Sequence, residues 1–183
     1  MIVGMDEVGR GCWAGPLVAG AVLLAQPIVG LKDSKLLTRR QREALDILIR
    51  GQTMAIGLGW VESVEIDEIG LTAAVRLAME RALQQIELEY DELIIDGNYN
   101  FFPDNPKAKA IIKADTTVPA VSAASIIAKV ARDNYMREMA LEYPQYGFEQ
   151  HVGYGTALHL ERLKLHGVSV LHRHSYKPIR ALM

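Results

Sequence analysis

Acidic residues directly follow three short apolar segments of this 183-residue chain. They are Asp6 and Glu7 after residues 2–5, Asp96 after residues 93–95, and Asp115 after residues 111–114. A carboxylate at the end of a buried strand must be paired, protonated or bound to a cation, because an isolated buried charge costs several kcal/mol. Clustered oxygen ligands suit Mg²⁺ or Mn²⁺. The pattern therefore predicts a metal site; the alternative is that each residue is an ordinary strand-end or turn residue.

Composition indicates a globular protein, because half of the residues are apolar. We expect one domain over residues 1–183. No segment approaches the roughly 20 apolar residues of a membrane span, and no leader-like segment opens the sequence. We expect a soluble, cytoplasmic monomer with no membrane partner. The single Cys12 excludes an internal disulfide and a thiolate metal site, so a metal here must have oxygen or nitrogen ligands.

Charge is unevenly distributed along the chain. Residues 156–183 carry five Lys or Arg and one Glu, whereas residues 1–155 carry a net charge of -6. All five His also lie in the last third. A basic face opposite an acidic body suits an enzyme that binds phosphates on one surface and cations on another, although the asymmetry can also arise by chance.

Apolar periodicity predicts alternating strands and helices. Strands are expected at residues 1–8, 16–25, 53–61, 92–97 and 108–113. Helices are expected at 39–50, with Thr38 as N-cap, and at 71–89, 119–141 and 156–166. The fold class is therefore α/β, with a mixed sheet flanked by helices and a helical C-terminal segment.

Two longer motifs resemble a known family. Residues 6–11 (DEVGRG) and residues 113–133 (KADTTVPAVSAASIIAKVARD) are similar to signatures of ribonuclease HII, in the type 2 ribonuclease H family. Shorter matches occur at 33–36 (DSKL), 94–97 (IIDG), 153–156 (GYGT) and 172–176 (HRHSY), in the family's order.

The resemblance implies a ribonuclease H-like fold and an endonuclease that hydrolyses the RNA strand of RNA/DNA hybrids. It also implies cutting on the 5' side of single ribonucleotides embedded in duplex DNA, with two Mn²⁺ or Mg²⁺ ions. The implied ligands are Asp6, Glu7, Asp96 and Asp115. Asp6 would bridge both ions, Asp115 would join it on the ion that delivers the attacking water, and Glu7 with Asp96 would hold the second ion.

One geometric condition accompanies this ligand set. Consecutive side chains of a strand point to opposite faces, so Asp6 and Glu7 can share a site only if the strand ends, bulges or turns there. The glycines that follow permit such a turn.

The resemblance also implies substrate-binding residues. Gly9, Arg10 and Gly11 would recognise the ribose, because glycines let backbone donors and acceptors approach a 2'-hydroxyl closely; a tight turn between strands is the plainer explanation of the same glycines. Lys35 is a candidate for a phosphate contact and Tyr154 would stack on a sugar; the alternatives are a solvated surface Lys and a Tyr that caps a core.

Several other residues receive weaker assignments. Lys113, Lys129, Arg39 and Arg40 are further candidates for phosphate contacts. Arg50, Glu62 and Asp133 are expected to be solvated surface groups. The His cluster lacks the spacing of a zinc site, and His172 and His174 are expected in a folded C-terminal segment. Cys12-Trp13 departs from the family pattern and is expected to alter packing beside the glycines.

Two alternative functions fit parts of the pattern. A DNA-cutting or strand-transfer enzyme with the same fold would need the carboxylates but not Gly9-Arg10-Gly11. A non-catalytic nucleic-acid-binding module is disfavoured, since four acids without metal ions would repel phosphates.

Overall fold

The computed structural model describes residues 1–28, 31 and 37–183. Its strands are β1 (Ile2–Val8), β2 (Leu17–Leu24), β3 (Ala55–Val61), β4 (Glu92–Asp96) and β5 (Ala108–Ile111). Its helices are α1 (Arg39–Gln52), α2 (Ser63–Ile69), α3 (Leu71–Leu83), α4 (Ala114–Thr117), α5 (Pro119–Glu142), α6 (Phe148–His151), α7 (Ala157–His166) and α8 (Lys177–Arg180), with a 3-10 turn at Pro144–Tyr146.

The five strands form one mixed sheet in the order β3-β2-β1-β4-β5. β1 and β2 form an antiparallel hairpin, and β3 continues it on the outer edge of β2. β4 lies parallel to β1, and β5 lies parallel to β4. The predicted α/β class with a mixed sheet flanked by helices is confirmed, as is a C-terminal segment containing short helices.

Helices cover both faces of the sheet, which explains why β2 is buried along its whole length. One face packs on α2 and α3 through residues such as Met5, Ile66 and Met79. The other face packs on α1 and α5 through residues such as Ile49 and Ile127. A third apolar cluster joins the end of α5 to the C-terminal segment.

Two glycines let α5 lie directly on the sheet. A Cβ at Gly4 would overlap the backbone of Ala120, and a Cβ at Gly20 would meet the carbonyl oxygen of Ala124 at 2.5 Å. Since Gly20 is paired with Asp6 across the hairpin, this close approach brings α5 beside Asp6.

Several elements differ from the sequence prediction. α3 ends at Leu83 rather than at residue 89, although Ile86 still packs on the same core. β5 ends at Ile111, and residues 113–117 turn into the short helix α4. The short helices α2, α6 and α8 were not predicted.

A membrane-spanning helix is absent from the described part of the chain.

Candidate active site

Asp6 and Asp96 lie at the same edge of the sheet. β1 and β4 are parallel, and the last pair in their register is Met5 with Ile95. The next residues in the two strands are Asp6 and Asp96, so neighbouring strands present both carboxylates side by side. The two acids that follow apolar segments in the sequence are therefore neighbours in the structure.

Asp115 reaches the same edge from a short helix, not from a strand end as the sequence suggested. Lys113 adopts a left-handed conformation (φ 59°), which turns the chain sharply between β5 and α4. Asp115 then lies in the first turn of α4, where its backbone N–H contacts Oδ1 of Asp96 at 3.5 Å. The hydroxyl of Ser122 on α5 donates to the carbonyl oxygen of Asp115 and fixes α4 against α5.

Asp6, Asp96 and Asp115 form a compact carboxylate cluster. One carboxylate oxygen from each residue lies within 4.8 Å of those of the other two. Asp6 and Asp115 are buried, and Asp96 is half-buried. Among the described residues, this is the group of acidic, His or Cys side chains whose spacing could hold a metal ion.

Electrostatics in the cluster favours a bound cation. Burial, followed by the charge of Glu7 and to a smaller extent that of Asp96, raises the pKa of Asp6 to about 8, although a hydrogen bond with Ser125 opposes the shift. Burial also raises the pKa of Glu7. Without a cation, the cluster must therefore hold a proton or accept strong repulsion. A hard divalent ion with oxygen ligands fits these residues.

Glu7 lies beside the cluster but outside the group of three. β1 continues without interruption to Val8, and Glu7 stays in register with Ala19 of β2. The strand thus shows no bulge or turn at Asp6 and Glu7. The carboxylate of Glu7 instead accepts a hydrogen bond from Nη1 of Arg10 at 3.1 Å. Its role as a metal ligand stays a prediction.

A cavity of about 240 Å³ opens next to Asp6 and Glu7. Its lining brings together residues from the N-terminal hairpin, α1, α5 and the loop before α7. They are Asp6, Glu7, Val8, Gly9, Arg10, Gly11, Arg42, Ser125, Lys129 and Tyr154. The cavity therefore places the carboxylate side of the site next to most of the residues predicted to bind substrate.

The GRG loop (Gly9, Arg10 and Gly11) forms one wall of this cavity. Gly9 is buried with a φ of +94°, and a Cβ there would collide with Arg132 and with the carbonyl oxygen of Pro16. Gly11 is exposed, and a Cβ there would meet no atom within 4 Å. Packing thus explains the glycine at position 9, whereas position 11 faces open space.

Tyr154 also lines the cavity, and it forms an isolated antiparallel bridge with Cys12, the residue after the GRG loop. Its exposed fraction is 37%, and its ring contacts the cations of Lys129, with Nζ 5.1 Å from the ring centroid, and Arg132. Burial raises the pKa of Tyr154 to about 12, and its hydroxyl interacts with the thiol of Cys12. Gly153 before it has a φ of +86° and lies against the carbonyl group of Ala14. The ring is therefore fixed at its base and open on one side.

The predicted surface role of Asp133 is wrong. Asp133 is buried, and it pairs with Lys129 at 2.9 Å and with Arg42 at 3.8 Å. The reason is that α1 covers this side of α5, so a position that periodicity leaves ambiguous becomes an interior one. Asp133 thereby holds Lys129 and Arg42, two cations that line the cavity.

The remaining candidates for phosphate contacts do not line this cavity or lie outside the described residues. Lys35 lies outside the described residues. Lys113 is exposed next to α4, and Arg39 is exposed on α1, where it pairs with Glu43. Arg40 is also exposed.

Three His side chains, His151, His159 and His172, pack beneath residues 152–156, which we call the Tyr154 loop. The Nε2 atoms of His159 and His172 lie 3.0 Å apart, and Nδ1 of His159 contacts the carbonyl oxygen of Tyr154 at 2.9 Å. Burial lowers the pKa of His159 to about 4 and that of His172 to about 3. These neutral rings support the loop. His172 is indeed in a folded C-terminal segment.

Trp13, the departure from the family pattern, packs into the same support. Its ring fills the space that a Cβ of Gly155 would need, and its centroid lies 5.6 Å from that of His159. Trp13 thus fixes the Tyr154 loop from below.

Sequence reasoning missed Ser125, Arg42, Arg132 and Arg173 as parts of this region. The side chain of Ser125 forms a hydrogen bond with the carboxylate of Asp6, and Arg42 lines the cavity. Arg132 donates to the carbonyl oxygens of Ala14, Pro16 and Val152. Ser125, Arg132 and Arg173 lie within the family motifs at residues 113–133 and 172–176, and this position was the available signal for them. The spacing of residues in the sequence does not reveal such long-range hydrogen bonds.

Comparison with known proteins identifies the family. The profile described as Ribonuclease HII matches residues 3–179. The chain belongs to the ribonuclease HII family. The Ribonuclease HII of Marinomonas sp. (strain MWYL1) is 45% identical over 186 residues, which cover 100% of this chain and 93% of that protein. As a member, the chain is a metal-dependent endoribonuclease that hydrolyses the RNA strand of RNA/DNA hybrids.

Solved structures confirm the ribonuclease H-like fold. The ribonuclease H2 of Pyrococcus horikoshii OT3 has a TM-score of 0.81 and 28% identity, and the match covers 99% of this chain and 96% of that one. The ribonuclease HII in a complex with PCNA from Archaeoglobus fulgidus has a TM-score of 0.84 and 25% identity, covering 100% of this chain and 96% of that one.

We predict that Asp6→Asn stabilises the metal-free protein. The pKa of Asp6 rises from 3.8 to about 8 on folding, so folding must take up a proton, and the wild-type free energy of unfolding falls as pH rises across that interval. Asn carries no charge and escapes this cost. In EDTA at pH 8, denaturant unfolding should show a gain of about 2 to 4 kcal/mol for the variant.

The gain should shrink toward pH 4, and Mn²⁺ should raise the melting temperature of the wild type more than that of the variant. A variant that is less stable than the wild type at pH 8 in EDTA would contradict the electrostatic interpretation.

Proposed function

We propose that this chain also incises duplex DNA on the 5' side of a single embedded ribonucleotide, with two divalent ions held by Asp6, Glu7, Asp96 and Asp115. The observation that carries the proposal is the shared cavity, in which Asp6 and Glu7 face the GRG loop and Tyr154. Groups suited to bind cations and groups suited to recognise a ribose thus lie within one small volume. We further propose that one chain suffices, since all of these residues belong to it.

Mg²⁺ or Mn²⁺ bound at these carboxylates would supply an activated water and stabilise the leaving oxygen of the scissile phosphodiester. Asp6 occupies the central position because it neighbours Glu7 in sequence and clusters with Asp96 and Asp115. Ser125 holds the carboxylate of Asp6 in place through a hydrogen bond from α5. Asp115 and Asp96 would supply further oxygen ligands.

The GRG loop can recognise a 2'-hydroxyl through its backbone. Among the described residues, the N–H groups of Arg10 and Gly11 have no hydrogen-bond acceptor, and both residues are exposed beside the cavity. A peptide N–H that faces a cavity can donate to the oxygen of a ribose hydroxyl, which DNA lacks. The open space at Gly11 lets a sugar approach the chain closely.

Tyr154 can pack against the neighbouring sugar. Lys129 and Arg132 contact its ring, and Tyr154 is 37% exposed, so the ring offers an aromatic face to the cavity that the GRG loop also lines. Lys129 and Arg42 supply positive charge for the phosphates that flank the ribonucleotide.

Cleavage of a labelled DNA duplex that contains one ribonucleotide tests the proposal. With Mg²⁺ or Mn²⁺ we expect one cut on the 5' side of the ribonucleotide, leaving 3'-hydroxyl and 5'-phosphate ends, because a water attacks and the 3' oxygen leaves. Asp6→Asn should lower the rate by about 1000-fold or more, equivalent to about 4 kcal/mol in barrier height. The matched variant Asp104→Asn, in an exposed turn, should retain wild-type activity.

Other outcomes separate the alternatives. A 2',3'-cyclic phosphate product would mean that the ribose itself attacked, which contradicts activation of water. Equal cutting of an all-DNA duplex would indicate a DNA nuclease, and binding without any cutting would indicate a non-catalytic module.

For Tyr154 we predict that the ring, more than the hydroxyl, supports cleavage. Base or sugar stacking contributes about 1 to 3 kcal/mol, so Tyr154→Ala should lose about tenfold or more on DNA with one ribonucleotide and less on a long hybrid. Tyr154→Phe should keep most activity. Rates on both substrates and the melting temperature of each variant are the measurements. If Tyr154→Ala lost both activities equally and also melted lower, Tyr154 would be a packing residue only.

A further inference from the structure

Arg173 is fully buried next to the GRG loop without a carboxylate partner among the described residues. Its exposed fraction is 0%, and none of the ion pairs in the described part of the chain includes it. A buried cation without a counter-ion is costly unless its donors are satisfied by hydrogen bonds. The hydrogen bonds of the Arg173 guanidinium therefore show which part of the protein this side chain stabilises.

The donors of Arg173 point at carbonyl oxygens of the segment that contains the GRG loop. Nη1 donates to the carbonyl oxygen of Gly9 at 2.6 Å and to that of Arg10 at 3.2 Å. Nε and Nη2 both donate to the carbonyl oxygen of Gly15, at 3.0 and 2.8 Å. One guanidinium thus connects the GRG loop to Gly15, four residues after the loop ends. A lysine ammonium, with all its donors on one atom, cannot span these two positions.

Tyr176 completes the contact with the loop. Its hydroxyl donates to the carbonyl oxygen of Arg10 at 2.6 Å and accepts a hydrogen bond from Nη1 of Arg173 at 2.9 Å. The Arg10 carbonyl therefore has two donors from the C-terminal segment. Its peptide plane is fixed from inside the protein.

The segment that carries Arg173 and Tyr176 is itself anchored. The carboxylate of Asp67 on α2 accepts hydrogen bonds from the backbone N–H of His174 at 2.7 Å and of Ser175 at 2.9 Å. The N–H of Arg173 donates to the carbonyl oxygen of Trp13 at 2.8 Å. The contacts with the loop therefore rest on the body of the sheet and its helices, not on a free terminus.

This arrangement determines which backbone groups the loop offers to a ligand. The carbonyl oxygens of Gly9 and Arg10 face inward toward Arg173 and Tyr176. The N–H groups of Arg10 and Gly11 lack an acceptor among the described residues. A trans peptide points its C=O and N–H in opposite directions, so holding the Arg10 carbonyl inward turns the N–H of Gly11 away from the protein interior.

We propose that Arg173 and Tyr176 are positioning residues for ribose recognition, which act by fixing the inward orientation of the Gly9 and Arg10 carbonyls. They touch the GRG loop and not the substrate. The inference rests on the proposed function, because it assigns recognition of the 2'-hydroxyl to the GRG loop. It adds that selectivity for a ribonucleotide depends on residues more than 160 positions away in sequence.

The test measures selectivity in binding. The affinity of the wild type and of Tyr176→Phe is measured for a fluorescent DNA duplex with one ribonucleotide and for the matching all-DNA duplex, with Ca²⁺ replacing Mg²⁺ and uncut strands verified on a gel. Tyr176→Phe removes one hydroxyl from a half-buried side chain and leaves the ring. We expect the preference for the ribonucleotide duplex to fall by about 5- to 10-fold, the loss expected from one or two hydrogen bonds.

Affinity for the all-DNA duplex and the melting temperature should stay at wild-type values. Tyr90→Phe is the matched control, since its hydroxyl accepts a hydrogen bond from Asn105 instead of contacting the loop. This control should keep the full preference.

Arg173→Lys is a second variant that retains the positive charge. We expect a larger loss of preference than in Tyr176→Phe, with a raised KM for the ribonucleotide duplex in the presence of Mg²⁺. If Tyr176→Phe and a folded Arg173→Lys both kept the wild-type preference, the proposal would be overturned. It would also be overturned if the two duplexes lost affinity equally while the melting temperature dropped, because that result indicates a purely structural role.

The wild type distinguishes failure of this inference from failure of the proposed function. A wild-type protein that neither prefers nor cuts the ribonucleotide duplex would contradict the proposed function, and the positioning role would fall with it. A wild-type protein that prefers and cuts this duplex leaves the variants to decide the positioning role alone.

Discussion

The burial of Asp6 in one cluster with the carboxylates of Asp96 and Asp115 is the constraint on which the rest of this structure depends. The three groups lie within 4.8 Å of one another at one edge of the sheet, two of them buried. Burial, and then the charge of the neighbouring Glu7, raise the pKa of Asp6 to about 8, so that a proton occupies a place that a cation can take. Buried carboxylates are unfavourable when they are ionised without a cation. For the same reason a divalent ion binds them strongly.

The second requirement is that flexible glycine segments be held in one conformation beside this charge. The structure meets it with buried arginines, which donate to backbone carbonyls instead of carboxylates. Arg132 connects the N-terminal hairpin to the Tyr154 loop through the carbonyl oxygens of Ala14 and Val152, and Arg173 holds the GRG loop. Because neither guanidinium pairs with an acid in the described part of the chain, both also add positive potential close to the cavity beside Asp6.

The sequence predicted the parts of the site that depend on local pattern. Asp6 and Asp96 were predictable because neighbouring parallel strands end together. Asp115 was predicted as a strand end, but its place depends on the left-handed turn at Lys113, which no apolar pattern reveals. Asp133 was misjudged because its burial depends on how α1 packs across α5. The contact of Arg173 with Gly9 joins residues 164 positions apart and could be found only in three dimensions.

Calorimetric titration with Mn²⁺ in buffers of different ionisation enthalpy tests the central claim most directly, because it counts the protons released when the ion binds. At pH 7 the carboxylate cluster should bind Mn²⁺ and release about one proton, since the cation displaces the proton held by Asp6. Asp115→Asn should weaken the binding. Absence of Mn²⁺ binding, or binding that releases no proton and is unchanged in Asp115→Asn, would contradict the claim that these three carboxylates form the metal site.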